Sequence, residues 1–483
     1  MQNRREFLQL LLAGAGANLV LPNVSFGQAS AKTSADAWAQ VPQILARINP
    51  PKFPKKDFSI LKYGAKSGSA IDSTNAIRQA IEECSKKGGG RVVVPKGEFL
   101  TGAIHLKSNV NLHVSKGATL KFSQNPKAYL PVVFSRWEGM ELMNYSPFIY
   151  AFEQTNIAIT GEGTLDGQSK EGFWKWHGNP KYGGDPKVIS QKADRAKLYE
   201  MMDKGVPVAE RVFAEGTYLR PQFIQPYKCK NVLIEGVKII DSPMWEIHPV
   251  LCENVTIRRV SISSHGPNND GCDPESCKDV LIEDCFFDTG DDCIAIKSGR
   301  NADGRRINVP TENIIVRGCT MKDGHGGITV GSEISGGVRN LFAENCKLDS
   351  PNLDHALRVK NNASRGGKLE NFYFRNITVG QVAHAVITID FNYEEGSKGS
   401  FTPVVRNYVV ENLTSGKSEY AMDAQGLANA PIYGLKIKNS TFDNVKNGAI
   451  AENLTDASLE NVKINGKVVS DINSVKVAPK KKG

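Results

Sequence analysis

The segments DVLIEDCFFDTGDDCIAIKS, from Asp279 to Ser298, and NIIVRGCTMKDGHGGITVGS, from Asn313 to Ser332, lie over one another without a gap. Cys285 falls on Cys319, Gly290 on Gly324, Asp291 on His325, and Ile294–Lys297 on Ile328–Gly331. Each segment opens with Asn or Asp and continues as a short strand of alternating apolar residues, the pattern of one buried face. The same opening returns as NVLIEG from Asn231, NVTIRR from Asn254, NLFAEN from Asn340, NFYFRN from Asn371 and NYVVEN from Asn407. Weaker copies begin at Asn109, Asn156, Gly434 and Asp456. From Asn231 onward the copies recur every roughly 22 to 36 residues, the period of a solenoid. Strands this short cannot bury a face alone, but stacked coil on coil they share a continuous core. The pattern predicts an all-β fold, a right-handed parallel β-helix over residues 57–470.

Solenoid ends expose strand edges and need cover. Asp72-Ser73 followed by Ala76, Ile77, Ala80, Ile81 and Cys84 has helical spacing, with a stop at Gly88, and predicts an N-terminal capping helix. Residues 28–56 show little periodicity and read as a linker, and 471–483 as a basic tail. Residues 166–226, with Trp174, Trp176 and Arg220, leave the repeat and predict a long loop or insertion.

Of 483 residues, 40% are hydrophobic and 23% charged, the balance of an ordinary globular protein. At the start, Arg4-Arg5-Glu6-Phe7-Leu8 precedes an apolar run that ends near Val20. This reads as an export signal of the twin-arginine type over residues 1–27, cut after Gly27 or Ala31, and implies a periplasmic or extracellular protein. Its removal takes away Arg4, Arg5 and Glu6 and lowers the formal charge from +9 to +8. A basic balance suits an anionic partner. No basic helix or aromatic-studded groove suggests nucleic acid, and no other apolar run has a membrane-spanning length, so the mature chain is expected to bind no membrane. A monomer is expected. Nine cysteines cannot all pair within one chain; most recur at matching repeat positions as buried core residues do, while Cys272 and Cys277 are close enough in sequence to bridge.

Four polar motifs follow one another through the repeats: Asn268-Asn269-Asp270, Gly290-Asp291-Asp292, Gly324-His325-Gly326 and Arg358-Val359-Lys360. Alignment puts Asp270 on Asp292, and Leu357–Lys360 on Ile294–Lys297. Leu357 and Val359 then face inward, and Arg358 and Lys360 point out on one face. Coils stack about 4.8 Å apart, so these groups line one stripe. Asp291 and Asp292 can both reach it only if the chain bends, which Thr289 and Gly290 favour. Asp273 and Asp303 read as turn residues bonding their own backbone. Neighbouring carboxylates are the equipment of glycosidic bond hydrolysis, one donating a proton and another activating water. Cations beside them suggest a sugar that is itself negative.

In these four motifs, and in Gly88–Pro95 and Gly161–Gly167, the chain resembles the polygalacturonase family, glycoside hydrolase family 28. The resemblance spans roughly residues 57–470. Asn269 stands where many members have Thr, and Val359 where many have Ile; neither change removes a chemical group. The resemblance implies hydrolysis of α-1,4 bonds between galacturonic acids, with inversion and without metal or cofactor. It makes Asp291 the general acid and has Asp270 and Asp292 activate the water. His325 is placed to bond one carboxylate and hold its charge state. Arg358 and Lys360 are implied to bind the substrate carboxylate, with Asn268 and Lys297 as further contacts. An inverting pair is expected about 6.5–9.5 Å apart.

Ser332-Glu333-Ile334-Ser335-Gly336-Gly337 resembles the end-acting bacterial members, which need a wall across the cleft. Material for it lies in the 166–226 insertion, in Arg300 to Pro310 and in Glu394 to Pro403. Trp245 and His248 are candidates to close the terminal-sugar pocket, and Arg300, Arg305 and Arg306 to hold its carboxylate. The expected partner is polygalacturonate or a pectic oligosaccharide. The rivals are an interior-cutting polygalacturonase, a rhamnogalacturonan-type hydrolase, a calcium-dependent pectate lyase and a non-catalytic carbohydrate-binding β-helix.

Overall fold

The structure, a computed structural model, describes residues 34–479. The expected export signal with its cut sites and the lysines 480–482 lie outside the described residues. The chain winds as a right-handed parallel β-helix with three faces. A long face runs from Asp57–Ser59 through Lys278–Glu283, Thr311–Arg317 and Val338–Glu344 to Ser458–Ile464, each strand parallel to the next copy of itself. A second face carries short strands such as Phe286–Thr289 and Thr320–Met321. The third is made of Ile294–Ile296, Gly324–Val330, Leu353–Lys360, Ala385–Asp390, Tyr420–Gln425 and Ala449–Glu452, in that order. Earlier coils reach it through single bridges from Ile224 to Ile247, Cys272 and Ile294.

The register is the one the repeats predict. Ile294, Ala295 and Ile296 pair with Ile328, Thr329 and Val330, and these with Leu357, Arg358 and Val359. The leading Asn of each copy explains why the alignment holds. Asn231, Asn254, Asn313, Asn340, Asn371 and Asn407 adopt a left-handed backbone, which Asn tolerates better than most residues. Their amides then bond along the axis: Asn340 Nδ2 donates to Asn313 Oδ1 at 3.0 Å, and Asn371 to Asn340 at 3.2 Å. Asp279 interrupts this ladder, because a carboxylate can accept from Asn313 (2.9 Å) but cannot donate onward.

That interruption is where the N-terminal segment docks, which corrects the expected linker. Two short helices, Ser34–Trp38 and Val41–Arg47, lie on the long face. Arg47 donates to both oxygens of Asp279, at 3.0 and 2.6 Å. Asn49 exchanges two hydrogen bonds with Asn254. Trp38, Val41, Ile44 and Ile48 cover Leu281, Ile315, Phe342, Tyr373 and Val409, the outward apolar residues of five consecutive strands.

The capping helix is Thr74–Lys86, with Ala76, Ile77, Ala80, Ile81 and Cys84 buried and Gly88 in the left-handed region at φ +85°. Asp72 rather than Ser73 supplies the capping oxygen, accepting from Thr74 N at 2.8 Å. At the far end Lys467–Val469 turns back antiparallel on Ser458–Ile464. Val477 N still bonds Ala449 O at 2.8 Å, so the chain stays on the solenoid beyond residue 471, where a tail was expected. All nine cysteines are free and buried. Cys272 and Cys277, close enough in sequence to bridge, do not: Cys272 stands in the inward column between Ile247 and Ile294, whereas Cys277 stacks on Cys252, whose N–H donates to its sulfur at 3.4 Å. Among the described residues no helix is long and apolar enough to cross a membrane.

Candidate active site

Asp270, Asp291 and Asp292 come together on the third face, with one oxygen of each within 4.8 Å of the others. The bend that this requires lies between the strands Phe286–Thr289 and Ile294–Ile296. Gly290 packs so tightly there that a Cβ would stand 2.5 Å from Gly266 O. Thr289 Oγ1 donates to Asp291 O at 2.9 Å and holds the turn. The expected separation of 6.5–9.5 Å is therefore not found. Equivalent positions on neighbouring coils are spaced by the strand repeat, and spacing alone no longer argues for inversion.

Each carboxylate has its own surroundings. Asp292 is fully buried; it accepts from Thr329 Oγ1 at 3.0 Å and from Lys360 Nζ at 2.5 Å, with Arg358 at 3.7 Å. Asp291 is the most open of the three, its side chain 19% exposed, and bonds His325 Nδ1 at 3.0 Å. Burial would raise its pKa, but the His325 hydrogen bond and the charges of His325, Lys360 and Lys297 outweigh it and hold Asp291 below the usual carboxylate range. In return Asp291 pushes His325 up to about 9. Asp270 is raised well above the ordinary range by burial and by the charge of Asp291, with Lys297 pulling the other way. In the ligand-free protein Asp291 is thus the ionised partner of the pair and His325 the protonated one.

Lys297 is the hub beneath them. Its Nζ lies 3.5 Å from Asp270, 3.4 Å from Asp273 and 3.2 Å from Glu333, 4.2 Å over the ring of Trp245. Asn268 is held from behind, where buried Arg220 donates to its Oδ1 at 2.6 Å and to the carbonyls of Pro243 and Pro267. Asn269 has no side chain in the pocket; it caps the preceding turn through Ser264 Oγ and Gly266 N, both at 2.7 Å.

These groups form the floor of a pocket whose sides are Glu138, Arg195, Trp245, Arg300, Ser332, Glu333, Tyr393 and Glu394. Arg300 ties the sides together, 2.9 Å from Glu333, 3.2 Å from Glu394 and 3.7 Å from Glu138. Arg195, from the 166–226 insertion, bonds Glu138 at 2.7 Å. All three segments expected to build a wall reach this pocket, joined by the hairpin Val133–Trp137/Met140–Asn144, which the repeat pattern does not mark.

Several expectations are corrected. His248 does not line the pocket: it is fully buried, and its Nε2 bonds Glu275 at 2.7 Å while Gln225 holds Nδ1. Arg306 pairs with Glu141 and Asp303, and Arg305 donates to the carbonyls of Ser364 and Arg365, so neither enters the pocket. Arg300 enters it already engaged by three glutamates. Asp303 is no turn residue, since its Oδ2 accepts from Arg211 at 2.7 Å and from Glu141 N at 2.8 Å. Asp273 is fully buried beside Lys297 and bonds no backbone.

A parallel β-helix with carboxylates and compensating cations at the foot of a walled pocket defines a glycosidase site. The chain belongs to the glycosyl hydrolases family 28, whose signature matches residues 209–458. It is 48% identical to a hyperthermoactive exopolygalacturonase from Thermotoga maritima, with a TM-score of 0.87 over 89% of this chain and 96% of that one. An exo-poly-alpha-D-galacturonosidase of Dickeya chrysanthemi is 25% identical over 464 residues, 86% of this chain and 75% of its own. An endo-polygalacturonase of Pectobacterium parmentieri is 28% identical over 393 residues, 79% of this chain and 85% of its own.

Proposed function

We propose that this enzyme hydrolyses the α-1,4 bonds of polygalacturonate from the non-reducing end and releases galacturonic acid. The observation that carries the end-acting reading is the stitched wall: Arg300 joins glutamates from three separate segments across one side of the carboxylates. A polymer cannot run through such a barrier, but a chain end fits against it. The likeness to the Thermotoga exopolygalacturonase supports the same mode.

In this reading Asp291, the most open carboxyl, protonates the departing oxygen, and Asp270 and Asp292 draw a proton from the attacking water. Asp291 must then take up a proton before each turnover, and His325, bonded to it, holds one. Arg358 and Lys360 receive a substrate carboxylate, with Tyr393 behind them, its ring 5.8 and 5.4 Å from the two cations. The export signal would place the mature enzyme outside the cytoplasm, where the polymer is. The test is a time course of viscosity, reducing ends and product size on polygalacturonate. Monomer from the first minutes with slowly falling viscosity is expected; a viscosity collapse while few reducing ends have formed means internal cutting and ends the proposal.

A further inference from the structure

Asp273 has a charge problem that the reaction as described does not use. It sits three residues beyond Asp270, fully buried, and neither of its oxygens has a hydrogen-bond donor among the described residues. The nearest cation is Lys297 at 3.4 Å, and that ammonium also serves Asp270 and Glu333. Glu333 has a second cation in Arg300; Asp270 and Asp273 have no second cation at ion-pair distance among the described residues. Two buried carboxyls sharing one ammonium cannot both stay ionised, and the arrangement that satisfies both is a proton on one of them, donated to the other.

We propose that Asp273 is a positioning residue that keeps a proton and donates it to Asp270, so that Asp270 is the ionised member able to draw a proton from water. Access decides which of the two holds the proton. Asp273 has no exposed side-chain surface, whereas Asp270 lines the pocket where water arrives. The charged and titratable groups facing the pair are Lys297 and Lys360 on one side and Asp291, Asp292 and Glu246 on the other. Burial and the neighbouring carboxylate raise both members, against the pull of Lys297. Glu246, itself fully buried with no hydrogen-bond donor to its carboxyl, adds no cation to the balance. The pair therefore retains a proton well above the pH at which a free carboxylic acid would lose it.

This inference rests on Asp270 being a water-activating base, and the experiment separates the two. The acid limb of the kcat/KM profile on polygalacturonate is measured for the wild type, Asp273→Asn, Asp273→Ala and Asp270→Asn. An amide still donates to Asp270, so Asp273→Asn is expected to hold the limb near its wild-type position. Asp273→Ala leaves Asp270 buried without a donor, so the limb moves up by about one pH unit, with about tenfold lower activity on the acid side that recovers as pH rises. Should alanine not fold, Asp273→Ser, which keeps a hydroxyl donor, takes its place and is expected to shift the limb less than half as far. Equal losses at every pH in the Asn and Ala (or Ser) variants, with the limb unmoved, would mean that Asp273 only fills space, and would overturn the proposal. Near-normal activity in Asp270→Asn would instead remove the base that Asp273 is meant to serve.

Discussion

His325 Nδ1 stands 3.0 Å from Oδ1 of Asp291, on the coil that follows it, because the two residues occupy equivalent positions in successive repeats. The bond raises the imidazole to about 9 and depresses the carboxyl. The stability it confers through His325 is complete below the unfolded value of about 6.5 and is lost as pH rises through about 9. Through Asp291 it is present above about 3.9 and fades as pH falls below that. The ring is more than half exposed, so solvent screening limits the contribution to under about 1 kcal/mol. His325→Gln is accordingly expected to change the melting temperature little. It removes the main influence that lowers Asp291, so the alkaline limb of kcat/KM moves to higher pH. A limb that stays in place, or moves down, would show that His325 does not set the charge of the acid.

Asp291→Asn keeps the size of the side chain and loses the transferable proton. Turnover is expected to fall by about 10²–10⁴-fold or more, with unchanged circular dichroism and near-normal substrate affinity. Activity close to wild type takes Asp291 out of the acid role.

Arg358 and Lys360 are expected to behave differently although both point to one side of the same strand. Lys360 is the chief counter-ion of Asp292, which has no exposed surface. Removing one partner of a buried pair typically costs about 3–5 kcal/mol, so Lys360→Ala loses stability as well as activity on every substrate. Arg358, 3.7 Å from Asp292 and partly exposed, is the cation freer to meet a ligand. Arg358→Ala is expected to weaken binding of polygalacturonate by about 1.5–3 kcal/mol and of methyl-esterified substrate by less. Equal losses on both would assign the arginine to the fold.

Inversion rests on family resemblance, since the grouped carboxylates do not show the wide separation of an inverting pair. Proton spectroscopy of the first product gives the answer directly: the β anomer is expected, and an α anomer appearing first would mean that a carboxylate attacks the sugar.

The coil register and the three aspartates were legible because they lie inside the repeat, where a left-handed Asn and strict alternation set each residue's direction. Asp291 over His325 is a statement about sequence that survives as a distance. The pocket sides were less legible. Glu138 lies in a hairpin with no repeat to align it, and Tyr393 only borders an excursion whose path alignment cannot trace. The place of His248 is hidden in the sequence because its coil position does not reveal Glu275, which claims its ring. The N-terminal helices left a trace that alternation obscured: Leu281, Ile315, Phe342, Tyr373 and Val409 are apolar at outward positions, and a column of such residues on five coils calls for a cover.

Arg47 reaches 232 residues ahead to Asp279, and Ser34 reaches 377 ahead to Glu411. The binding surface for the first described helices is not complete until the coil that ends at Glu411 has been laid down. A solenoid can nucleate locally and grow by neighbours, at little cost in loop closure, but this segment cannot join that growth. The first described part of the polypeptide to be made must wait for the coils from Asn254 to Glu411, and its docking reports that they are complete.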